Sequence, residues 1–290
     1  MQKALFLYNP AAGRGRIARN VGGIVDIFSE NGWEPPPTKL AFAAHPFAAQ
    51  PDLGVALAAG GHGTVNYVVN RMRERGLSLE LGIIPAGTAN DFAGIVGMAK
   101  DPLEAARQIV TGEVQALDCG VVNGLHFVNI FSFGIFTTTS QRTPDERKHR
   151  LGKLAYIMEG IKELRHMHAI PLHVRTESGE FDFNALMALV FNGETAGGFR
   201  LANTSSVRDG MFDCLLLEKR NFLVSCFAMV RYLCGGHPRS VRHLRAATLQ
   251  ISSPIDEPTD VDGQRGARFP LDVRCLPGLL RVVCPRDGRR

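Results

Sequence analysis

The sequence predicts an α/β N-terminal domain on an open, mainly parallel sheet, followed by a C-terminal antiparallel β-sandwich domain. Three observations lead there. Short, continuous apolar runs at residues 4–8, 55–59 and 81–85 are each bounded by Gly or Pro, as buried parallel strands are. Between them, residues 17–31, 64–75 and 102–111 carry helical spacing, so strands and helices alternate as in a doubly wound sheet. After about residue 117 the texture changes to short β-rich segments, the pattern of a sandwich or barrel. The domains that follow are residues 1–117 and 118–290.

With 290 residues, 45% hydrophobic and 21% charged, the chain is long enough to bury two cores and too apolar for disorder. The opening Met-Gln-Lys-Ala-Leu-Phe-Leu-Tyr-Asn-Pro reads as a first strand, its apolar run being too short for a secretory leader. No run reaches membrane-spanning length, so the chain is expected not to cross a bilayer. Six cysteines without a C-x-x-C pair read as reduced thiols of a cytoplasmic protein. The net charge of +5 gathers in residues 142–165, 231–245 and 286–290, a distribution suited to nucleic acid, anionic lipid or ATP without choosing among them.

The first strand runs into Asn-Pro-Ala-Ala-Gly-Arg-Gly-Arg at residues 9–16, just before a helix. Such a turn offers backbone N–H groups and the positive end of a helix dipole to phosphate, with Arg14 and Arg16 able to fork onto its oxygens. The second strand runs into Gly60-Gly61-His62-Gly63-Thr64, with Asn66 on the first helical turn. Its glycines let a ligand approach the backbone, and Thr64 can cap the helix or touch phosphate. The third runs into Pro85-Ala86-Gly87-Thr88-Ala89-Asn90-Asp91, with Asn90 and Asp91 at a helix start. Three such loops at successive strand ends point to one nucleotide-phosphate site.

In the second half, strands are expected at residues 119–122, 126–132, 170–176, 181–192, 211–217, 247–252, 269–275 and 279–284, with helical inserts at 151–166 and 223–234. Asp262-Gly263 by itself reads as a hairpin turn.

Asn9-Pro10 with Gly13, then Gly60-Gly61-His62-Gly63-Thr64-Val65-Asn66, then Gly87-Thr88-Ala89-Asn90-Asp91-Phe92 resemble the diacylglycerol kinase catalytic domain family, especially its bacterial soluble lipid kinases, related to sphingosine and ceramide kinases. The resemblance continues in order through Asp118, Gly152-Lys153-Leu154-Ala155-Tyr156, Asn192-Gly193, Gly197-Gly198, Asp209-Gly210-Met211-Phe212-Asp213 and Asp262-Gly263. It implies an NAD kinase/diacylglycerol kinase-like N-terminal domain and a β-sandwich lipid-substrate domain, with the active site in the cleft between them. It further implies ATP with Mg²⁺ as phosphoryl donor and a lipid hydroxyl as acceptor. Gly60, Gly61, Gly63, Thr64, Gly87 and Thr88 would contact ATP, and Asn9 and Arg14 would lie near its phosphates. Asp262 would be the general base on the lipid hydroxyl, and Asp209 and Asp213 would fall where some bacterial members hold a structural Mg²⁺.

Two residues depart from the pattern. His62 stands for an Asp, and Gln264 for the acid of Asp-Gly-Glu, so two negative charges that would serve a hard cation are gone. His62 reads as a recruited base, a neutral donor or a plain loop histidine. The leading expectation is a cytoplasmic, peripherally membrane-associated lipid kinase. Its basic segments would meet anionic lipid, residues 127–136 would wall an acyl groove, and a homodimer is among the assemblies left open. The alternatives are an impaired member that binds nucleotide or lipid as sensor or carrier, and a kinase of a soluble alcohol, since NAD kinases share a related loop. A nucleic-acid role is not expected, because the sequence carries no recognisable nucleic-acid-binding motif.

Overall fold

The computed structural model describes residues 2–41, 45–47, 53–87, 89–134, 168–196, 199–200, 202 and 205–286. Two compact units emerge: Met1–Cys119 with Thr195–Phe199 and Pro277–Arg290, and Gly120–Glu194 with Arg200–Leu276. They do not follow a single cut at 117/118, because the last strand returns to the first unit.

In the first unit the chain runs β1 (Gln2–Tyr8), α1 (Arg16–Glu30), β2 (Trp33–Glu34), β3 (Pro37–Lys39), β4 (Val55–Gly60), α2 (His62–Glu74), β5 (Glu80–Pro85), α3 (Asp91–Ile95), α4 (Pro102–Thr111) and the start of β6 (Glu113–Val122). β1 pairs in parallel with β2 and β3 on one side and with β4 on the other, and β4 pairs in parallel with β5. The chain therefore reverses its winding direction between β1 and β4. β4 is buried at every position, as the continuous apolar run requires of a parallel strand covered on both faces. α1 buries Ile17, Ile24 and Phe28, one helical stripe, and Gly23 lets it approach Leu103 of α4. α4 begins on a full cap: the Asp101 carboxylate accepts the N–H groups of Leu103 and Glu104, and Pro102 takes the first helical position.

The second unit adds β7 (Leu125–Phe127), β8 (Ile130–Gly134), β9 (Ile170–Thr176), β10 (Gly179–Phe191), β11 (Thr195–Ala196), β12 (Phe199–Arg200), β13 (Phe212–Glu218), α5 (Phe222–Leu233), β14 (Val241–Ala246), β15 (Thr248–Ser252), β16 (Thr259–Val261), β17 (Gln264–Arg265) and β18 (Leu271–Cys284), of which the short β11 and the end of β18 belong to the first unit. Its pairings are antiparallel. The first half of β10 pairs β9, and its second half lies between β8 and β13. The core gathers Phe127, Phe131, Phe133, Phe212, Val190 and Val273, with the Phe127 and Phe212 rings stacked 5.3 Å apart. Burying each such side chain is worth about 2–3 kcal/mol. On the opposite face of β10 and β13, Ala228 and Met229 of α5 cover Leu186 and Leu217.

Several expectations change. Residues 126–132 are two strands, not one, split at Val128 and Asn129. Phe127, Phe131 and Phe133 are fully buried in the core, so that stretch is no acyl wall; residues 135 and 136 lie outside the described residues. The basic stretch before residue 246 contains a strand, β14, which the run of Arg and His had hidden. The two strands expected at 269–275 and 279–284 are one, β18. Pro277-Gly278 looked like a break, but here the chain passes from one unit to the other. Gly278 (φ +63°) gives its N–H to the Asp118 carboxylate at 2.9 Å, and residues 281–282 then run parallel to β5. The helix expected at 151–166, the basic run from 142 to 165 and the motif at 152–156 lie outside the described residues.

The candidate phosphate site and its partners

Ligands of an open α/β sheet bind beyond the carboxyl ends of its strands, where the winding direction reverses. In this chain that point lies between β1 and β4, and the turns after β1, β4 and β5 meet there pairwise. The Asn9 N–H donates to Ala59 O at 3.0 Å, joining the first turn to β4. Gly13 sits so close to the third turn that a Cβ would lie 2.5 Å from Ala86 O. Gly61 and Gly87 touch backbone to backbone, and a Cβ on Gly87 would lie 2.7 Å from the Gly61 Cα.

Each turn is set locally. Asn9 Oδ1 accepts the Ala11 N–H, closing an Asx-turn. Gly13, Arg14 and Gly15 then follow in succession at φ +59°, +56° and +76°. For Arg14 that conformation is strained by roughly 1–2 kcal/mol, and its side chain is exposed. In the third turn the Gly87 N–H donates to Asn90 Oδ1 and Asn90 Nδ2 donates back to Gly87 O, both at 2.7 Å, a clasp that holds Asn90 at φ +53°. Thr88 lies outside the described residues.

The caps separate these turns from the rest of the molecule. α1 is capped by Gly15 and α2 by Gly61, and neither has a side chain accepting from its first turn. α4 and α5 are capped by the side chains of Asp101 and Asn221. The Arg16 N–H donates to Gly13 O and the Thr64 N–H to Gly61 O, so the dipole ends of α1 and α2 and the first-turn amides without such a backbone partner are what an outside acceptor would meet, and an anion is the natural one.

Some expected ligands turn inward instead. α2 begins at His62, two residues before the expected start, so Thr64 is not its cap. Thr64 is buried, and its side chain fills the space over Gly60 that a Cβ would occupy. Asn66, also buried, accepts from Asn70 Nδ2 one turn along α2. Arg16 does not reach outward, because its guanidinium donates to the main-chain carbonyls of Pro85 and Lys100.

His62 occupies the first position of α2. Its Nε2 accepts the Asp91 N–H at 2.9 Å, which requires an imidazole with no proton on that nitrogen, and the Asp91 carboxylate lies 3.5 Å away. The ring joins the start of α2 to the start of α3. The Nε2 lone pair, which a recruited base would use, is engaged by that amide.

Asp262 is 3% exposed and sits at φ +50° beside Gly263 at +86°, a two-residue hairpin turn between β16 and β17. Its carboxylate accepts three backbone N–H groups, from Val128 (2.7 Å) on Oδ2 and from Asn129 (3.0 Å) and Ile130 (2.9 Å) on Oδ1. The Asp262 N–H donates to Ile130 O, while Asn192 donates its side chain to Val128 O and its N–H to Asn129 O. Every backbone polar group between β7 and β8 is therefore met by Asp262 or Asn192. In the sequence Asn192 stands out only as part of the Asn192-Gly193 motif. Its companion signal, a polar residue ending an apolar strand, does not announce a role.

Asp209 and Asp213 are already matched. Arg245 Nη2 donates to Asp209 Oδ2 at 2.5 Å, the Arg245 Nε lies 3.8 Å from Asp213 Oδ2, and His243 Nε2 lies 2.7 Å from Asp213 Oδ1. A guanidinium and an imidazole stand where a cation would have to go, so the residues do not fit the expected metal. Among the described residues no group of three or more His, Cys, Asp or Glu could hold one. Burial, with the Asp213 carboxylate adding to it, pushes the Tyr232 hydroxyl up to about 12. Burial likewise pushes the Cys214 thiol up, which suits an inert core cysteine. No disulfide joins any of the six cysteines, and Gln264 is exposed on β17.

Comparison with known proteins covers both units. The diacylglycerol kinase catalytic domain matches residues 3–122, and the YegS C-terminal NAD kinase beta sandwich-like domain matches residues 129–284. The sequence is 30% identical to a diacylglycerol kinase of Bacillus subtilis over 99% of this chain and 98% of that protein. It is 29% identical to one of Staphylococcus saprophyticus over 99% and 96%. The crystal structure of a diacylglycerol kinase from Bacillus anthracis superimposes with a TM-score of 0.81 at 24% identity, over 98% of this chain and 97% of that one, a likeness of fold.

Proposed function

The chain belongs to the diacylglycerol kinase catalytic domain family, and from that premise we propose that it transfers the γ-phosphoryl group of ATP to the hydroxyl of diacylglycerol or a similar lipid alcohol. The observation that carries the proposal is the meeting of three glycine turns at the reversal of the first sheet, beside two helices whose first turns no side chain caps. Phosphoryl transfer asks a protein chiefly for positioning and for charge to set against the moving group. The amides of residues 13–15 and 61–63 would hold phosphate oxygens, and the strained Arg14 would add a cation. Gly61 and Gly87 keep the backbone low enough for the nucleotide to approach. Mg²⁺ arriving with ATP would supply charge that neutralises the phosphate oxygens and needs only one or two protein carboxylates, of which Asp91 is the one these turns carry. Asp262 acts, in this reading, through the backbone of residues 128–130 that it fixes, not by taking a proton.

The acceptor is a bilayer resident, so the enzyme works at a membrane surface. Among the described residues no helix is long and apolar enough to cross one. A second reading is favoured by one observation, the replacement of two family acids by His62 and Gln264: the chain would bind nucleotide without turning it over.

Transfer of radiolabelled phosphate from Mg-ATP to diacylglycerol in mixed micelles separates the two. The natural chain is expected to yield phosphorylated lipid, with His62→Asp and Gln264→Glu altering the rate. Absence of product from the natural chain, with nucleotide still bound and product returning once the acids are restored, would leave a binding protein on a kinase frame.

A further inference from the structure

Seven large apolar side chains are exposed among the described residues, and five of them lie on the twelve-residue helix α5: Phe222, Leu223, Val224, Phe227 and Val230. Leu223 is 76% exposed and Phe227 65%. At 100° per residue, Leu223, Phe227 and Val230 fall on one stripe, opposite the Ser225, Ala228 and Met229 face that packs on the sheet. The helix is therefore apolar on both faces, and among the described residues nothing covers the outer one. A contiguous exposed patch of this kind marks an interaction surface.

The charge around it selects the partner. Residues 219–245 contain six Lys and Arg, two His and no Asp or Glu. Two of the six, Arg220 and Arg245, are ion-paired to Glu218 and Asp209 outside the stretch. Arg231 and Arg239 are exposed at the end of the helix and just beyond it. A second copy docking through the same face would bring cations against cations, whereas an anionic bilayer complements both the apolar stripe and its rim.

We propose that the outer face of α5 is a membrane-docking element, with Leu223, Phe227 and Val230 entering the headgroup–acyl boundary of an anionic bilayer and the flanking arginines resting on the headgroups. The proposal deepens the reading of an enzyme that works on a bilayer-resident acceptor and rests on it for its purpose. Its geometry and its test need neither ATP nor turnover.

The test is sedimentation of the full chain with phosphatidylcholine vesicles, with and without phosphatidylglycerol. The natural chain is expected to partition onto the anionic vesicles, and Leu223→Ser with Phe227→Ser to lower that partition by about tenfold or more at an unchanged melting temperature. Arg231→Gln with Arg239→Gln is expected to weaken binding and flatten its salt dependence. Wild-type partition by the double Ser variant would overturn the proposal. So would a solution dimer that the same variant splits, which would assign the face to a second copy. Phosphorylation of a short-chain diacylglycerol dissolved in water reports on the kinase reading separately, so either idea can fail without the other.

Discussion

The turn at Gly61 in the first unit and the turn at Asp262 in the second each place a polar side chain beside glycine at the end of a short strand, and they use the backbone in opposite ways. At Gly61 the helix starts without a side-chain cap, and the neighbouring turn comes within touching distance through Gly87. At Asp262 a buried carboxylate is spent on three amides, and Asn192 meets the two carbonyls those amides adjoin. The first arrangement leaves donors for a ligand; the second leaves none. A motif acid is therefore no guide to whether a residue reacts or merely holds the chain.

The largest expected effect tests the closed side of that contrast. Asp262→Asn replaces one of two acceptor oxygens with an NH₂ group facing an N–H donor, and removes charge from the remaining bonds. A loss of about 3 kcal/mol is expected, read as a lower urea midpoint with an unchanged slope. Activity would fall with stability, so loss of activity alone cannot identify a base here. A variant as stable as the natural chain yet inactive would break the comparison and return Asp262 to the chemistry.

How much of this was legible follows from which interactions are local. The strands of the first unit and the three turns could be read because buried parallel strands and glycine turns are written in consecutive residues, as at Val55–Gly60. The clasp of Asn90 on Gly87 spans three residues, and the helix start at Asp91 was foreseen. The bond from Asp91 to His62 spans 29 residues, and those from residues 128–130 to Asp262 span more than 130, so no spacing rule reveals them. β14 was hidden because alternate residues of an exposed edge can be Arg and His, which read as a charged loop. The split of residues 126–132 follows from Asp262, a partner the segment itself does not contain. Arg16 looked like an outward cation, because the two carbonyls it satisfies lie 69 and 84 residues away.

A middle-sized effect sharpens the open side. Gly87→Ala would place a methyl carbon 2.7 Å from the Gly61 Cα and 2.8 Å from Asn90 Oδ1. The Gly61 backbone cannot step aside as a side chain could, so the two turns must part at a cost of about 2 kcal/mol. Because the damage falls on the turns, nucleotide affinity is expected to drop by about thirtyfold, the same energy expressed as a binding ratio. Titration with a fluorescent ATP analogue, beside a thermal melt, measures both. Unchanged affinity in a destabilised protein would mean that the close approach serves packing alone.

The smallest effect is the most discriminating, because stability and function should move in opposite directions. Arg14 holds a left-handed conformation that glycine adopts freely, between two glycines that already do so. Arg14→Gly should therefore stabilise the chain by about 1 kcal/mol, or roughly 2 °C in melting temperature. Among the described residues the Arg14 contact with Arg19 uses the Arg14 carbonyl, which glycine keeps. If the strain is held so that a guanidinium can face phosphate, the same variant should raise the KM for ATP by about tenfold, and Arg14→Lys should restore part of it by keeping the charge. A gain in stability with no change in KM would show that the strain serves no ligand, and the open turn would then be open for the sake of backbone packing.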